Sequence, residues 1–373
     1  MRRRDFVRGL TAAGAGLALP LSLPAGASAA GVSGAAAGAW QQVPAPGGVP
    51  ATRLLGVATT GPDRAWAVGI QNLDQGPDHY GIPIALTWNG SVWSVTDVSH
   101  LTYTGGLRAV AATTRGGAWA LGTDTAGHDQ LLGWDGATWR EARFPGRGAP
   151  GTRLTDIEAG PGGRFWVAGS HGGRAGVMHG DGKTWRWCEP LPDEAAPVPY
   201  GIHVTHRGEV WVYGDIIARW DGAWTVVPHV NGIRSSLTGL LAVAPDDVWL
   251  TGLSYGIGGP AGKPPAATLE HWDGTQWSSV QKPFNVGILS SVMGDEQGRP
   301  DLISGWDFWD EKRAHYLRWN GTAWVSERGP ESPRAGFPLA LARIPGTDGG
   351  YWSVGADSFY PIPPTQLRIE RFT

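Results

Sequence analysis

Short apolar runs alternate with glycine-rich turns along the chain, and the runs recur in a fixed pattern. A tryptophan followed three residues later by glycine stands at Trp66/Gly69, Trp119/Gly122, Trp166/Gly169, Trp211/Gly214, Trp249/Gly252 and Trp352/Gly355. The intervals are 53, 47, 45, 38 and 103 residues. The last interval is two units long, and Leu302/Gly305 occupy the positions of the missing copy. Seven copies with a period of about 49 residues mark a repeat architecture.

Each unit predicts four strands. The first is an apolar run such as 54–59 (LLGVAT) or 237–243 (LTGLLAV), and the second is AWAVG or VWLTG, with side chains alternating between two faces. The third ends in a tryptophan before an Asn-Gly or Asp-Gly pair, as at Trp88-Asn89-Gly90, and the fourth opens with another tryptophan such as Trp93. Asn-Gly and Asp-Gly favour a two-residue type I′ hairpin turn. That turn sets Trp88 against Ser91 and leaves Trp93 diagonal to Trp88, roughly 7–8 Å away.

Four-stranded sheets repeated radially form a β-propeller, so the expected fold is all-β with seven antiparallel blades over residues 39–373. The seventh unit has only three strands, around Leu339–Ile344, Tyr351–Val354 and Gln366–Phe372. Its fourth is expected from the other end of the chain. Trp40-Gln41-Gln42-Val43-Pro44 follows the outer-strand pattern of Trp224-Thr225-Val226-Val227-Pro228.

Composition agrees with this and excludes other classes. The 373 residues include 58 glycines, 29 prolines and 21 tryptophans, which disfavours long helices and supplies ample aromatic core. Thirty basic residues face 33 acidic ones with no basic block in the body of the chain, so nucleic acid is not expected as a partner. A lone Cys188 cannot pair within the chain, and no Cys/His cluster has zinc-ligand spacing. No cofactor motif is visible, and none is expected. Arginine outnumbers lysine 26 to 4, a bias associated with GC-rich bacterial genomes.

The first 29 residues read as a signal peptide. Arg2, Arg3, Arg4 and Arg8 precede an apolar run from Leu10 to Leu23, and Ala27-Ser28-Ala29 offers a small-x-small cleavage site. The run is short and is broken by Gly14, Gly16 and Pro20, so it is not a membrane span. Removing residues 1–29 takes away four arginines and one aspartate and leaves a formal charge of minus six. Residues 30–38 read as a flexible tether, and the mature chain as a secreted monomer with no membrane association.

Two resemblances refine this reading. Arg3-Arg4-Asp5-Phe6-Val7-Arg8 resembles the twin-arginine export motif, which implies export of an already folded protein. The Asp-Gly-x-x-Trp turns, best at Asp181-Gly182-Lys183-Thr184-Trp185, resemble the Asp-box repeats of sialidases and related secreted bacterial propellers. The leading serine of that pattern is absent and the turn is one residue shorter. The Trp-Asp pairs are similar to those of WD-type repeats, without the partnering Gly-His. Asp-boxes are structural turns in those families, so the resemblance implies architecture and no catalytic residue.

Candidate chemistry is found where the chain departs from its repeat. Eighteen tryptophans have repeat positions, leaving Trp187, Trp306 and Trp309, and the last two lie together in WDFWDEKR after the second strand of unit six. Exposed rings there, with Asp307, suit stacking on a sugar or aromatic ligand. The same propeller face carries the other long loops, with His79, Tyr80, Tyr103, Tyr255 and Tyr360 as further candidate ligand contacts. Lining the axis, ten and eight residues before the second-strand tryptophans, small residues give way to Asp156, Glu158 and His203. Glu158 and His203 suit an acid–base pair or a metal, and Asp156 a ligand contact; hydrogen bonding between blades by the same groups is the competing reading.

These features favour a secreted propeller that binds a carbohydrate or other small molecule on its loop-rich face. The alternatives are an extracellular lyase or hydrolase at the mouth of the channel, or a protein-interaction platform. The export reading has a direct test. Replacing Arg3 and Arg4 together by Lys should abolish secretion, because the twin-arginine receptor reads the guanidinium pair; normal secretion would assign the signal to the general route.

Overall fold

The structure is a computed structural model that describes residues 38–373 except 50, 74–80, 116, 193–197, 230–234, 256–263 and 359–364. The segment read as a signal peptide, all but Gly38 of that read as a tether, and the candidates His79, Tyr80 and Tyr360 lie outside the described residues. The described residues form seven antiparallel sheets of four strands. Each inner strand packs beside the next, and that of blade seven returns to that of blade one, which makes a closed propeller around a central channel.

The strands begin and end where the repeat places them. In blade one they are Arg53–Gly61, Arg64–Gln71, Ile82–Trp88 and Trp93–Thr96. Five third strands end at a tryptophan, and all seven outer strands start at one.

The hairpin between them differs from the expected two-residue turn. Trp88 pairs directly with Trp93, so Asn89-Gly90-Ser91-Val92 form a four-residue loop. The reason lies in the Asn89 side chain, whose Oδ1 accepts the backbone N–H groups of Ser91 and Val92, both at 3.0 Å. Only Gly90 needs a positive φ, of 96°. Asp135, Asp181, Asp273 and Asn320 make the same pair of bonds. Those bonds hold the Asp181 carboxyl down at about 2; at Asp273 the Thr275 hydroxyl contributes most and those bonds add to it, and at Asp135 the Arg140 guanidinium adds to them. The two rings, now directly opposed, lie 5.8 Å apart.

The second-strand tryptophans pack across blades rather than within them. Trp352 of blade seven meets the Trp88–Trp93 pair of blade one edge-on, at 4.9 and 5.1 Å. Trp249 of blade five packs likewise on Trp319 and Trp324 of blade six, at 5.2 and 5.6 Å. Trp66, Trp119, Trp166 and Trp211 share their apolar clusters with the following blade. In blade six, Leu302 takes this role beside Leu341 and Tyr351 of blade seven.

Closure follows the expectation. Trp40–Gln42 is the outer strand of the seventh blade, with Trp40 opposite Phe372 and Gln42 opposite Glu370. The Trp40 indole lies flat on Tyr316 of blade six at 3.6 Å, and its Nε1 donates to Glu327 at 3.3 Å. A buried network sits along the same seam. Arg368 pairs with Asp357 at 2.8 Å and with Glu370, and Tyr316 donates its hydroxyl to Glu370 at 2.7 Å.

Trp40→Ala should lower stability by about 3 kcal/mol or more, the usual range for an aromatic ring removed from a packed site. Deleting residues 30–46 should go further and expose a blade edge that associates with other copies. Denaturant midpoints and sedimentation velocity check both; an unchanged midpoint for the deletion would refute closure by this strand.

Candidate functional site

Two regions gather the candidate side chains, and the first is the channel wall. Blade three contributes Arg153–Ala159 as its inner strand and blade four contributes Pro199–Val204. Glu158 pairs across its hairpin with Trp166, and His203 with Trp211, so both side chains occupy the same level of neighbouring blades. Asp156, Glu158 and His203 all line a cavity of about 380 Å³ along the axis.

Their contacts are mutual. Glu158 Oε1 lies 3.4 Å from His203 Nδ1, and Glu158 Oε2 accepts the backbone N–H of Val204 at 3.1 Å. Asp156 repeats this two residues earlier, accepting the Ile202 N–H at 3.1 Å with Oδ2 and the Ile157 N–H at 2.8 Å with Oδ1. Both carboxylates thus bridge to the backbone of the next blade. Burial raises the Asp156 carboxyl to about 7, opposed by those backbone bonds and reinforced by the neighbouring Glu158 charge.

Three further channel residues escaped the sequence reading. Tyr213, opposite Gly201 in blade four, lays its ring where a Cβ on Gly201 would meet it at 2.1 Å, so only glycine fits beneath it. Its hydroxyl donates to the Thr238 carbonyl of blade five at 3.4 Å. Burial first, then the Asp156 and Glu158 charges, push that phenol well above its ordinary range, so it stays protonated. Arg108 pairs with Asp129 at 2.9 Å and donates to the Leu154 carbonyl, and Arg343 lines the same cavity from blade seven. The signal for Tyr213 was the small residue at Gly201; for the arginines there was none, because their positions fall at the ends of inner strands.

The second region lies beyond Pro300–Asp307, the second strand of blade six. This strand is longer than expected, and it removes Trp306 from the loop. Trp306 pairs with Ile288, is only 8% exposed and stacks on Phe337 of blade seven at 5.0 Å. It is therefore a packing residue between blades and offers no surface to a ligand. Asp307 is buried too, and caps a 3-10 helix over Phe308–Asp310 by accepting the Trp309 N–H at 2.9 Å.

Trp309 keeps the expected exposure, at 77%. Its ring stands edge-on to Phe308 at 5.0 Å, beside an open depression of about 560 Å³ lined by residues 309–313 and Glu331. The backbone beneath is held at both ends. Gly336 N–H donates to the Glu311 carbonyl at 2.8 Å, and Ser332 N–H to that of Lys312 at 2.9 Å. Arg313 pairs with Glu331 at 2.8 Å, while the Glu311 and Lys312 side chains make no hydrogen bond or ion pair with any described residue.

The remaining candidates separate. Tyr103 is buried between blades one and two, donating its hydroxyl to Glu141 at 3.0 Å, because it pairs with Asp124 as an isolated bridge and is drawn into the apolar cluster there. Tyr255 is exposed, just beyond the second strand of blade five. Among the described residues no group of three or more His, Cys, Asp or Glu side chains has the arrangement of a metal site.

The chain matches no protein-family model, and no curated protein matches it in sequence. Solved structures do resemble it. Virginiamycin B lyase from Staphylococcus aureus is similar over 90% of this chain and 99% of its own, with a TM-score of 0.58 and 14% identity. YCF48 from Cyanidioschyzon merolae is similar over 88% of this chain and 98% of its own, with a TM-score of 0.54 and 14% identity. The WD40 repeats of RRP9 match over 90% of this chain and 99% of theirs, with a TM-score of 0.56 and 9% identity. At these identities the likeness shows the propeller fold alone.

The raised Asp156 carboxyl gives a prediction with a definite sign. A group whose acid form is held to about 7 in the folded state, against 3.8 for the free side chain, makes stability fall as pH rises between those values. Above the upper value its contribution is constant. Asp156→Asn should flatten that part of the profile in urea titrations run from pH 4 to pH 8; an unaltered slope would show that the carboxyl ionises normally.

Proposed function

We propose that the mature chain is a secreted propeller that binds a carbohydrate or other small polar ligand on its loop-rich face, with Trp309 as the stacking surface. One observation carries this reading. A large indole is held 77% exposed on a backbone that is capped by Asp307 and tied to residues 332 and 336. Water-facing aromatic rings contribute little to folding, whereas a rigid one loses little freedom on meeting a flat apolar ligand face. The unpaired Glu311 and Lys312 side chains beside it supply acceptors and donors for hydroxyl groups. Secretion through the twin-arginine route belongs to the same proposal and rests on the Arg3-Arg4 motif.

Catalysis in the channel is the second reading, and the raised Asp156 carboxyl is what favours it. Against it, both oxygens of Asp156 accept backbone N–H groups, and those of Glu158 are engaged by Val204 and His203. A structural bridge between blades accounts for the contacts to Ile202, Val204 and His203.

Trp309→Ala should weaken binding of a ligand found by glycan and small-molecule screening about tenfold, equivalent to ~1.4 kcal/mol, while changing stability by under ~0.5 kcal/mol. Calorimetric titration beside thermal melts reads both. Full affinity in the variant would remove Trp309 from the site.

A further inference from the structure

The face opposite the long loops is built from short turns, and it carries a groove between two blades. It lies between blades one and two, encloses about 500 Å³, and is bordered by Thr60, Asp63, Arg64 and Thr87 from blade one and Thr114 and Trp134 from blade two. The half-buried Trp134 indole forms one wall, packed at 5.5 Å on Trp139 behind it.

What distinguishes the groove is its unused polar groups. Asp63 and Arg64 are exposed, and neither side chain makes a hydrogen bond or ion pair with any described residue. The same holds for the hydroxyls of Thr60, Thr87 and Thr114. Several other charges on this face are tied to one another, as in Arg299 with Asp295 at 2.6 Å and His271 with Asp247 at 2.8 Å.

A natural control lies two blades away. The equivalent groove between blades three and four, about 290 Å³, is lined by Trp166, Glu209, Trp220 and Asp221. There Arg219 already holds both acids, Glu209 at 3.4 Å and Asp221 at 2.9 Å. The two grooves thus differ in the groups they leave open: a carboxylate beside a guanidinium, Asp63 and Arg64, in the first, and the Arg207 guanidinium without an open carboxylate in the second.

We propose that the groove between blades one and two is a second ligand site, for a neutral polyhydroxylated molecule of mono- or disaccharide size. The Asp63 carboxylate and the Arg64 guanidinium cancel in charge, as do Asp135 of the same groove and the Arg140 paired with it, so an ionic ligand gains from one open group and is repelled by the other. Adjacent hydroxyls satisfy both: they donate to the Asp63 carboxylate and accept from the planar Arg64 fork, and the threonine hydroxyls serve either role. The C–H face of such a molecule matches the Trp134 indole.

The test uses the mature protein carrying Trp309→Ala, which removes any contribution of the loop face, so the two sites stand or fall separately. Saturation-transfer NMR and titration with glucose, galactose, mannose, N-acetylglucosamine, maltose and lactose should show binding of at least one. Asp63→Ala with Arg64→Ala, both at exposed positions, should weaken that binding about tenfold with an unchanged melting temperature. Trp134→Ala should weaken it likewise, whereas Trp220→Ala, its counterpart in the other groove, should not. Binding of none of the six sugars, or binding that is indifferent to the Asp63/Arg64 double variant, would overturn the proposal.

Discussion

Everything in this molecule depends on the ring being closed by its two ends. The seventh sheet contains Gln366–Phe372 from one end of the propeller and Trp40–Gln42 from the other, joined by backbone pairing. A propeller blade has an inner edge protected by the axis and an outer edge open to solvent, and its faces are covered only by the neighbouring blades. If one blade lacks a strand, the fault is therefore shared by the blades on both sides. Here the seam is filled by the Trp40–Tyr316 stack and by the buried Arg368, Asp357 and Glu370 network. Such a network stabilises only when every member is satisfied, which makes it a means of fixing the register of this seam rather than a source of bulk stability.

The same logic explains where the tryptophans go. A ring on the second strand spans the gap to the next blade, where the Trp88–Trp93 pair receives Trp352 and the Trp319–Trp324 pair receives Trp249. Each blade therefore carries part of its neighbour's core. Trp306, outside the repeat pattern, ends up in a similar place against Phe337 for the same reason: it lies on a paired strand that faces the next blade.

Function has to be sought where this packing leaves side chains unused. In the channel, Asp156 and Glu158 reach across one seam and spend their oxygens on the backbone of blade four. Trp309, by contrast, stands two residues beyond the last paired position of its strand, and the Asp307 cap turns it away from the core. Asp63 and Arg64 sit at a hairpin end, and neither side chain pairs with any described residue. Exposed aromatic and unpaired polar groups on a rigid frame are the places where a ligand adds contacts without displacing existing ones.

Local patterns determined the blade count, the strand order and the closing strand, because each depends on short-range features that survive translation into sequence: period-two alternation, the Asp/Asn-Gly turn, and an outer-strand motif at residues 40–44. The hairpin geometry was half legible. The dipeptide announced a turn, but the competition between a type I′ backbone and an Asn89 or Asp135 side chain capping two N–H groups was decided only in the folded hairpin. On the channel wall the sequence placed Asp156, Glu158 and His203 together by counting from the tryptophans, and it could not place Tyr213, whose ring enters the channel only because Gly201 lacks a side chain. It expected both Trp306 and Trp309 to be exposed, and only Trp309 is. The two residues are three apart in one loop-like segment, and what buries one and exposes the other is the strand pairing and the Phe337 ring of the next blade, contacts that exist only after the ring has formed.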